Sequence, residues 1–193
     1  MPERCPWPLN DPLMIRYHDE EWGTPIHDDR LHFEYMVLDA FQAGLSWSIV
    51  LHKRENFRRA FRNFTPQELA ICTGKEIEEW LQDSGIIRNR RKLEATIQNA
   101  QQFLKLQEKY GSFDNYIWDF TSGKTIHNQW HSLSQIPAST ELSDRISRDL
   151  RQQGFKFVGS TICYSYLQAA GLVNDHLMSC FRYQELTAVR RDK

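Results

Sequence analysis

The 193 residues suit one compact unit or two small lobes around a cleft, and 40% hydrophobic with 25% charged side chains is an ordinary globular composition. No apolar run approaches the ~18 residues of a membrane span, and Met1-Pro2-Glu3-Arg4 leads to Cys5 and Trp7 without a signal-type apolar stretch, so a soluble cytoplasmic protein is expected. A formal net charge of -1 neither supports nor excludes nucleic acid, because affinity for phosphates comes from local basic patches.

Helical spacing dominates in chain order. From Asp29 to Gln42, the residues Phe33, Met36, Val37, Ala40 and Phe41 share one face, and Gly44 offers a stop. Ser46 to Asn63 repeats the spacing with Ile49, Val50, Phe57, Ala60 and Phe61. Thr65-Pro66-Gln67-Glu68 and Thr73 with Glu76 read as capping boxes. The second opens a helix that is expected to stop at Gly85. Leu93, Ile97, Ala100 and Leu104 mark the longest helix, ending at Gly111, and Phe113 to Phe120 a short one. Thr121 to Ser139 is polar and reads as a long connection. Helices then follow around Leu142–Leu150, closed by Gly154, and Ile162–Ala170, closed by Gly171. The one ambiguous strand is Phe155-Lys156-Phe157-Val158. The fold class is therefore all-α, with helical lobes around a cleft and the chain, 1–193, acting as a single unit.

Three basic patches fall along this pattern: Lys53, Arg54, Arg58, Arg59 and Arg62; Arg88, Arg90, Arg91 and Lys92; Arg145, Arg148, Arg151 and Lys156. Each reads equally well as a solvated helix face. The tail Arg190-Arg191-Asp192-Lys193 reads as a frayed end. The second patch follows Leu81-Gln82-Asp83-Ser84-Gly85-Ile86-Ile87-Arg88, a turn between two helices. Gly85 can take a positive φ there, and the N–H groups opening the next helix form a ready anion site. This is a helix-hairpin-helix pattern for sequence-independent DNA binding, or else a plain αα-hairpin.

Four cysteines without a secretion signal argue for reduced thiols or metal ligands over disulfides. Cys5 and His18 near one end, with His176 and Cys180 near the other, can close a tetrahedral Zn²⁺ site. His176 and Cys180 would share a helix face. From spacing alone His127 with His131 is an equal pair, and Cys180 can be a small buried hydrophobe.

Longer blocks add to these features. They are Arg4-Cys5-Pro6-Trp7, Tyr17-His18-Asp19-Glu20-Glu21-Trp22-Gly23, Gln42-Ala43-Gly44-Leu45-Ser46-Trp47, Lys53-Arg54-Glu55-Asn56-Phe57, Gly85-Ile86-Ile87-Arg88, Gly154-Phe155-Lys156-Phe157-Val158-Gly159, Thr161-Ile162-Cys163-Tyr164-Ser165 and Gly171-Leu172-Val173-Asn174-Asp175-His176. Together they closely resemble the DNA-3-methyladenine glycosylase I family, the zinc-containing branch of the helix-hairpin-helix glycosylases, from about residue 4 to 180. The resemblance implies one structural zinc ion on Cys5, His18, His176 and Cys180. It implies a monomer that hydrolyses the N-glycosidic bond of 3-methyladenine in alkylated double-stranded DNA, without lyase chemistry, leaving an abasic site.

The resemblance places the base pocket on Trp7, Tyr17, Trp22, Trp47 and Asp39. The family commonly has Glu where this chain has Asp39, one methylene shorter. Methylation at N3 makes adenine cationic, and aromatic faces attract a cation by roughly 0.5–2 kcal/mol. A carboxylate adds a charge-assisted hydrogen bond. The expected roles are Trp47 stacking, Asp39 reading the base edge as the catalytic group, Tyr17 hydrogen bonding, and Trp7 and Trp22 as walls. Leu45, after Gly44, is expected to plug the gap left by the extruded base. Gly85, Ile87 and Arg88 would hold one stretch of DNA backbone, and Gly159 and Thr161, at a helix start, another. No attacking side chain is evident, so water is expected to attack a bond weakened by the substrate's charge. Two other readings remain open: a zinc-stapled module that binds damaged DNA without catalysis, and a glycosylase whose main substrate is another alkylated base.

Overall fold

The computed structural model describes residues 3–188, so the basic tail at 190–193 lies outside the described residues. Eleven α-helices carry the fold among these residues. Helix α1 (Pro12–Glu20) starts where the Asp11 side chain accepts from the Leu13 and Met14 N–H groups, with Pro12 in the first turn. Helix α2 (Asp29–Gln42) is capped by Asp28. It is buried from His32 to Phe41 on all sides, so the one-sided pattern expected of it is not what it shows: it runs through the centre of the molecule.

The expected single helix from Ser46 to Asn63 is three pieces: α3 (Trp47–His52), α4 (Arg54–Ala60) and a 3₁₀ turn at Arg62–Phe64. The break is marked by left-handed backbone at Arg62, Asn63 and Phe64. Helix α5 (Pro66–Ala70) begins at Thr65, but no capping box forms, because the Thr65 hydroxyl turns back to the Arg62 carbonyl. The Thr73–Glu76 box does form and opens α6 (Gly74–Gln82). Helix α7 (Arg90–Tyr110) is capped by Asn89 and ends at Gly111, whose φ of 83° suits glycine.

Helix α8 (Phe113–Asp119), α9 (Glu141–Gln152), α10 (Ser160–Ala169) and α11 (Phe181–Ala188) complete the set. The connection at 121–139 is not plain loop. It holds β1 (Ile126–His127), which pairs in parallel with β2 (Val173–Asn174), and a 3₁₀ turn at Leu133–Gln135. Phe155–Val158 forms no strand. Asn99 pins the Lys156 backbone through both N–H and C=O, and Phe157 takes a φ of 54°.

Packing sets one main core. Helices α5 and α6 lie on α7, α9 lies on α10, and α10 lies on α2. Phe41, Phe57, Phe61 and Trp80 pack ring to ring on one side of α2, and Phe33, Phe103 and Phe113 on another. The first basic patch is largely spent on partners within the protein, although only Arg54 of the five residues is buried. Arg54 donates to Glu34 and Glu21 at 2.6 Å each, and Arg58 reaches Glu34 at 2.7 Å. Lys53 donates to the Ser84 and Gly85 carbonyls, and Arg59 to Asn56. Lys92, expected on a basic face, is buried and donates to the Phe41 and Ala43 carbonyls, closing the C-terminus of α2.

Candidate active site and metal cluster

Five residues far apart in sequence meet at one cavity of about 330 Å³: Trp7, Tyr17, Trp22, Asp39 and Trp47. Helix α1 supplies Tyr17, α2 supplies Asp39, and the first turn of α3 supplies Trp47. The rings form a wall, with centroids 5.2 Å apart for Trp7–Trp22, 6.3 Å for Trp7–Tyr17 and 5.1 Å for Tyr17–Trp47. The cavity also has lining that sequence reasoning missed: Gln42, Leu133, Ile136, Ser165 and Gln168. Leu133 and Ile136 come from the segment read as a connection. Ser165 and Gln168, three residues apart, are a same-face pair on α10, and nothing in their spacing distinguishes them from solvated helix positions.

Polar atoms at this cavity lack partners. Asp39 is 3% exposed, and its Oδ2 is buried without a hydrogen bond among the described residues, as are Trp7 Nε1 and Trp47 Nε1. Unsatisfied buried polar groups are rare in folded proteins and need an explanation. Three on the lining of one cavity suit a polar ligand. Burial pushes the Asp39 carboxyl well above the usual carboxylate range, and no basic group offsets it. Burial likewise holds the Tyr17 phenol well above its ordinary value, so it remains a donor.

A larger hollow of about 700 Å³ lies nearby, lined by Arg16, Glu20, Glu21, Arg54, Glu55 and Arg58 among others. Its charged groups already pair with one another or with Glu34, so it offers no unspent recognition group. A smaller groove of about 200 Å³ joins Asp39 and Gln42 to Gly44, Leu45 and Thr161. Leu45 is 40% exposed there, in the turn closed by its N–H to the Gln42 carbonyl. Gly159 caps α10, and Thr161 is exposed in its first turn.

In the α6–α7 hairpin, Gly85 does not take a positive φ, contrary to expectation. Glycine suits the close approach of two side chains: a Cβ would sit 2.8 Å from Asp83 Oδ1 and 3.1 Å from the Asn56 amide, and both would have to shift from their hydrogen bonds to the Gly85 backbone. Ile86 is buried, Ile87 partly buried and Arg88 exposed. Arg90 pairs with Glu78, whereas Arg88 and Arg91 form no ion pair among the described residues.

Cys5, His18, His176 and Cys180 are all buried, and their ligand atoms lie within 4.8 Å of one another. His176 and Cys180 sit in a turn between β2 and α11, not on a helix as expected. His127 and His131 form no such group among the described residues. The His18 Nδ1–H donates to Asp19 at 2.7 Å, and Asp19 is gripped by the Arg4 guanidinium. The His176 Nε2–H donates to the Trp22 carbonyl at 2.9 Å. Those bonds fix both tautomers, so the lone pairs of His18 Nε2 and His176 Nδ1 face each other at 3.2 Å. Two facing lone pairs repel unless a cation sits between them. Three of the four sulfur–nitrogen edges are 3.6, 3.6 and 3.7 Å, and all four ligand atoms stay within 4.8 Å of one another. A tetrahedral zinc with ordinary bond lengths would give edges of about 3.6 Å for S–N and about 3.3 Å for N–N. The four residues fit a zinc ion.

The fold and the site thus define a mainly helical protein with an aromatic, carboxylate-bearing cavity beside a cluster able to hold a metal. The family described as methyladenine glycosylase matches residues 7–183. The chain is 47% identical to DNA-3-methyladenine glycosylase 1 of Escherichia coli K12, covering 94% of this chain and 97% of that protein. It is 43% identical to DNA-3-methyladenine glycosylase of Haemophilus influenzae Rd, covering 93% and 97%. Among solved structures, a crystal structure of 3-methyladenine DNA glycosylase I superposes with a TM-score of 0.90 at 48% identity, covering 93% of this chain and 98% of that one. The Staphylococcus aureus enzyme, solved for the basis of its 3-methyladenine recognition, gives 0.89 at 36% identity, covering 92% and 94%. The chain belongs to the methyladenine glycosylase family.

Proposed function

We propose that the chain is a base-excision repair glycosylase that hydrolyses the N-glycosidic bond of 3-methyladenine in alkylated DNA and leaves an abasic site. The observation that carries this reading is the cavity in which aromatic faces surround a buried carboxylate with an unpartnered oxygen. Burial makes an ionised Asp39 costly. A cationic purine offsets that cost and a neutral one does not, so the same group that destabilises the cavity selects for methylation. Trp47 stacks on the base, Trp7 and Trp22 wall it, Tyr17 donates a hydrogen bond, and Asp39 is the catalytic group that stabilises charge at the base edge. Water completes the cleavage.

The base reaches this cavity only when extruded from the duplex, at a cost of a few kcal/mol. Leu45, exposed beside the cavity groove, fills the vacated stack. The turn with Gly85, Ile87 and Arg88 holds one backbone stretch, and the α10 start at Gly159 and Thr161 holds another. The chain works as a single unit and a monomer. Incubation with methylated DNA is expected to release free 3-methyladenine without nicking the strand. A covalent adduct trapped by borohydride, or retention of methylated DNA with no free base, would overturn the reading.

We further propose that Cys5, His18, His176 and Cys180 hold one structural zinc ion, which has no open position and supplies no chemistry to the substrate. The site ties segment 5–22 to segment 174–180 and buttresses the cavity, because His18 packs on Trp7 and Trp22. Elemental analysis is expected to find one zinc per chain. Removing it by a denaturing chelator treatment is expected to lower the melting temperature sharply, since structural zinc contributes roughly 10–16 kcal/mol in small peptides. A metal-free protein with an unchanged melt would refute the assignment.

A further inference from the structure

Asp175 is buried behind the cavity and accepts four hydrogen bonds. Asn128 Nδ2 and Trp130 Nε1 reach its Oδ1 at 2.7 Å each, and the Tyr164 hydroxyl and Gln168 Nε2, the latter at 2.7 Å, reach its Oδ2. Each carboxyl oxygen thus has two partners, and the Trp130 indole N–H can only donate, so the set leaves no place for a further acceptor facing it. The orientation of the Gln168 amide follows. Turned over, it would set its own oxygen against the carboxylate. Held as it is, Nε2 is spent, and Oε1 is the one unspent polar atom of an amide that lines the cavity.

A fixed acceptor has a single possible partner on a 3-methyladenine nucleotide. Ring atoms N1 and N7 are acceptors, N3 carries the methyl group and N9 the sugar, so only the exocyclic amine at position 6 donates. That amine has two N–H bonds; Gln42 and Ser165 also line the cavity, but among its side chains the Asp39 carboxyl and the Gln168 amide oxygen, the latter fixed in orientation by Asp175, are matched to take one each. We infer that Gln168, locked by Asp175, is a specificity-determining residue whose Oε1 accepts from the 6-amine of adenine and opposes the 6-oxo group of guanine. The inference rests on the glycosylase reading and deepens it. Asp39 then selects for charge, and Gln168 selects for the 6-amino purine. Sites that leave a buried polar group unpaired against the wrong ligand discriminate far better than apolar pockets do.

The test compares 3-methyladenine with 3-methylguanine, both by release from methylated DNA and by titration of the free bases against intrinsic tryptophan fluorescence. Gln168→Met keeps the length of the side chain and removes the acceptor. Gln168→Ala is the second variant should the first pack badly, and thermal melts confirm that both fold. The preference for 3-methyladenine is expected to shrink by ~10-fold or more, through weaker 3-methyladenine binding with 3-methylguanine unchanged or improved. A proportional fall for both bases would make Gln168 a packing residue and overturn the inference, as would an unchanged preference. A parent protein that binds neither base better than adenine fails before any variant is compared, which marks the failure of the glycosylase reading itself.

Discussion

Glu34 and Asp39 stand five residues apart on α2, and both are buried, yet they have opposite fates. Burial alone would raise the Glu34 carboxyl, but Arg54 and Arg58 outweigh it and hold the group below its usual range. Burial raises Asp39 and nothing outweighs it. One helix thus carries a carboxylate whose charge the fold has paired and a carboxyl that the fold has left without a partner. The difference lies in the neighbours. Glu34 faces α4, which brings two guanidinium groups. Asp39 faces the aromatic cavity, which brings none. Proteins break the rule that buried polar groups are satisfied mainly where a ligand completes the set.

The largest effect should come from breaking the satisfied side. Glu34→Gln leaves Arg54 buried with one charged partner fewer, and removing one member of a buried pair typically costs about 3–5 kcal/mol. A chemical or thermal melt should show that loss. An unchanged melt would mean the network is ornamental. The next effect comes from the open side. Asp39→Asn removes a charged hydrogen bond to a cationic base, worth about 1.5–3 kcal/mol, and so should weaken the preference for methylated over plain adenine by roughly 10- to 150-fold. The same variant should melt higher than the parent. The folded-state pKa of Asp39 is raised, so its contribution to stability is present at low pH and lost as pH rises through that raised value. The margin in favour of Asn should therefore grow from acidic to alkaline buffer. Glu34 has the opposite sign: its contribution is present above the unfolded carboxylate range and lost as pH falls through its lowered value. A stability gain for Asp39→Asn that is constant with pH would show that Asp39 does not titrate in this way.

The same contrast explains what the sequence could and could not disclose. Helix limits with local signals, such as Asp28 before α2 and Asn89 before α7, are visible because cap and helix are neighbours in the chain. The patch Lys53–Arg62 reads from sequence as a phosphate-binding or a solvated face alike, because the partners of Lys53 and Arg54, the Gly85 carbonyl, Glu34 and Glu21, lie 20 to 33 residues away. Trp7, Tyr17, Trp22, Asp39 and Trp47 were assigned to one site by resemblance, and the fold brings them to one cavity. Local spacing alone joins none of them to another. Gln168 was missed because its meaning depends on Asp175, seven positions on and past the end of α10. Leu133 and Ile136 were missed because polar composition marks a connection, and only packing shows where a connection lies.

The smallest effect is the most discriminating for the open carboxylate. Asp39→Glu keeps the charge and adds one methylene to a side chain that lines a cavity of about 330 Å³. If Asp39 meets the base directly, the longer side chain must crowd it or shift it, and if a water spans the gap, the longer side chain displaces that water. Either change is expected to stay within about 1.5 kcal/mol, roughly tenfold, because charge and hydrogen-bonding capacity are retained. The informative quantity is the ranking of lesions: rates on 3-methyladenine, 3-methylguanine and 7-methylguanine measured on the same methylated DNA. A changed ranking with an unchanged melt places the reach of this carboxylate among the determinants of substrate choice. Rates unchanged from the parent on all three lesions would mean that Asp39 does not touch the base, and the burial of an unpartnered carboxyl on α2 would then need another cause.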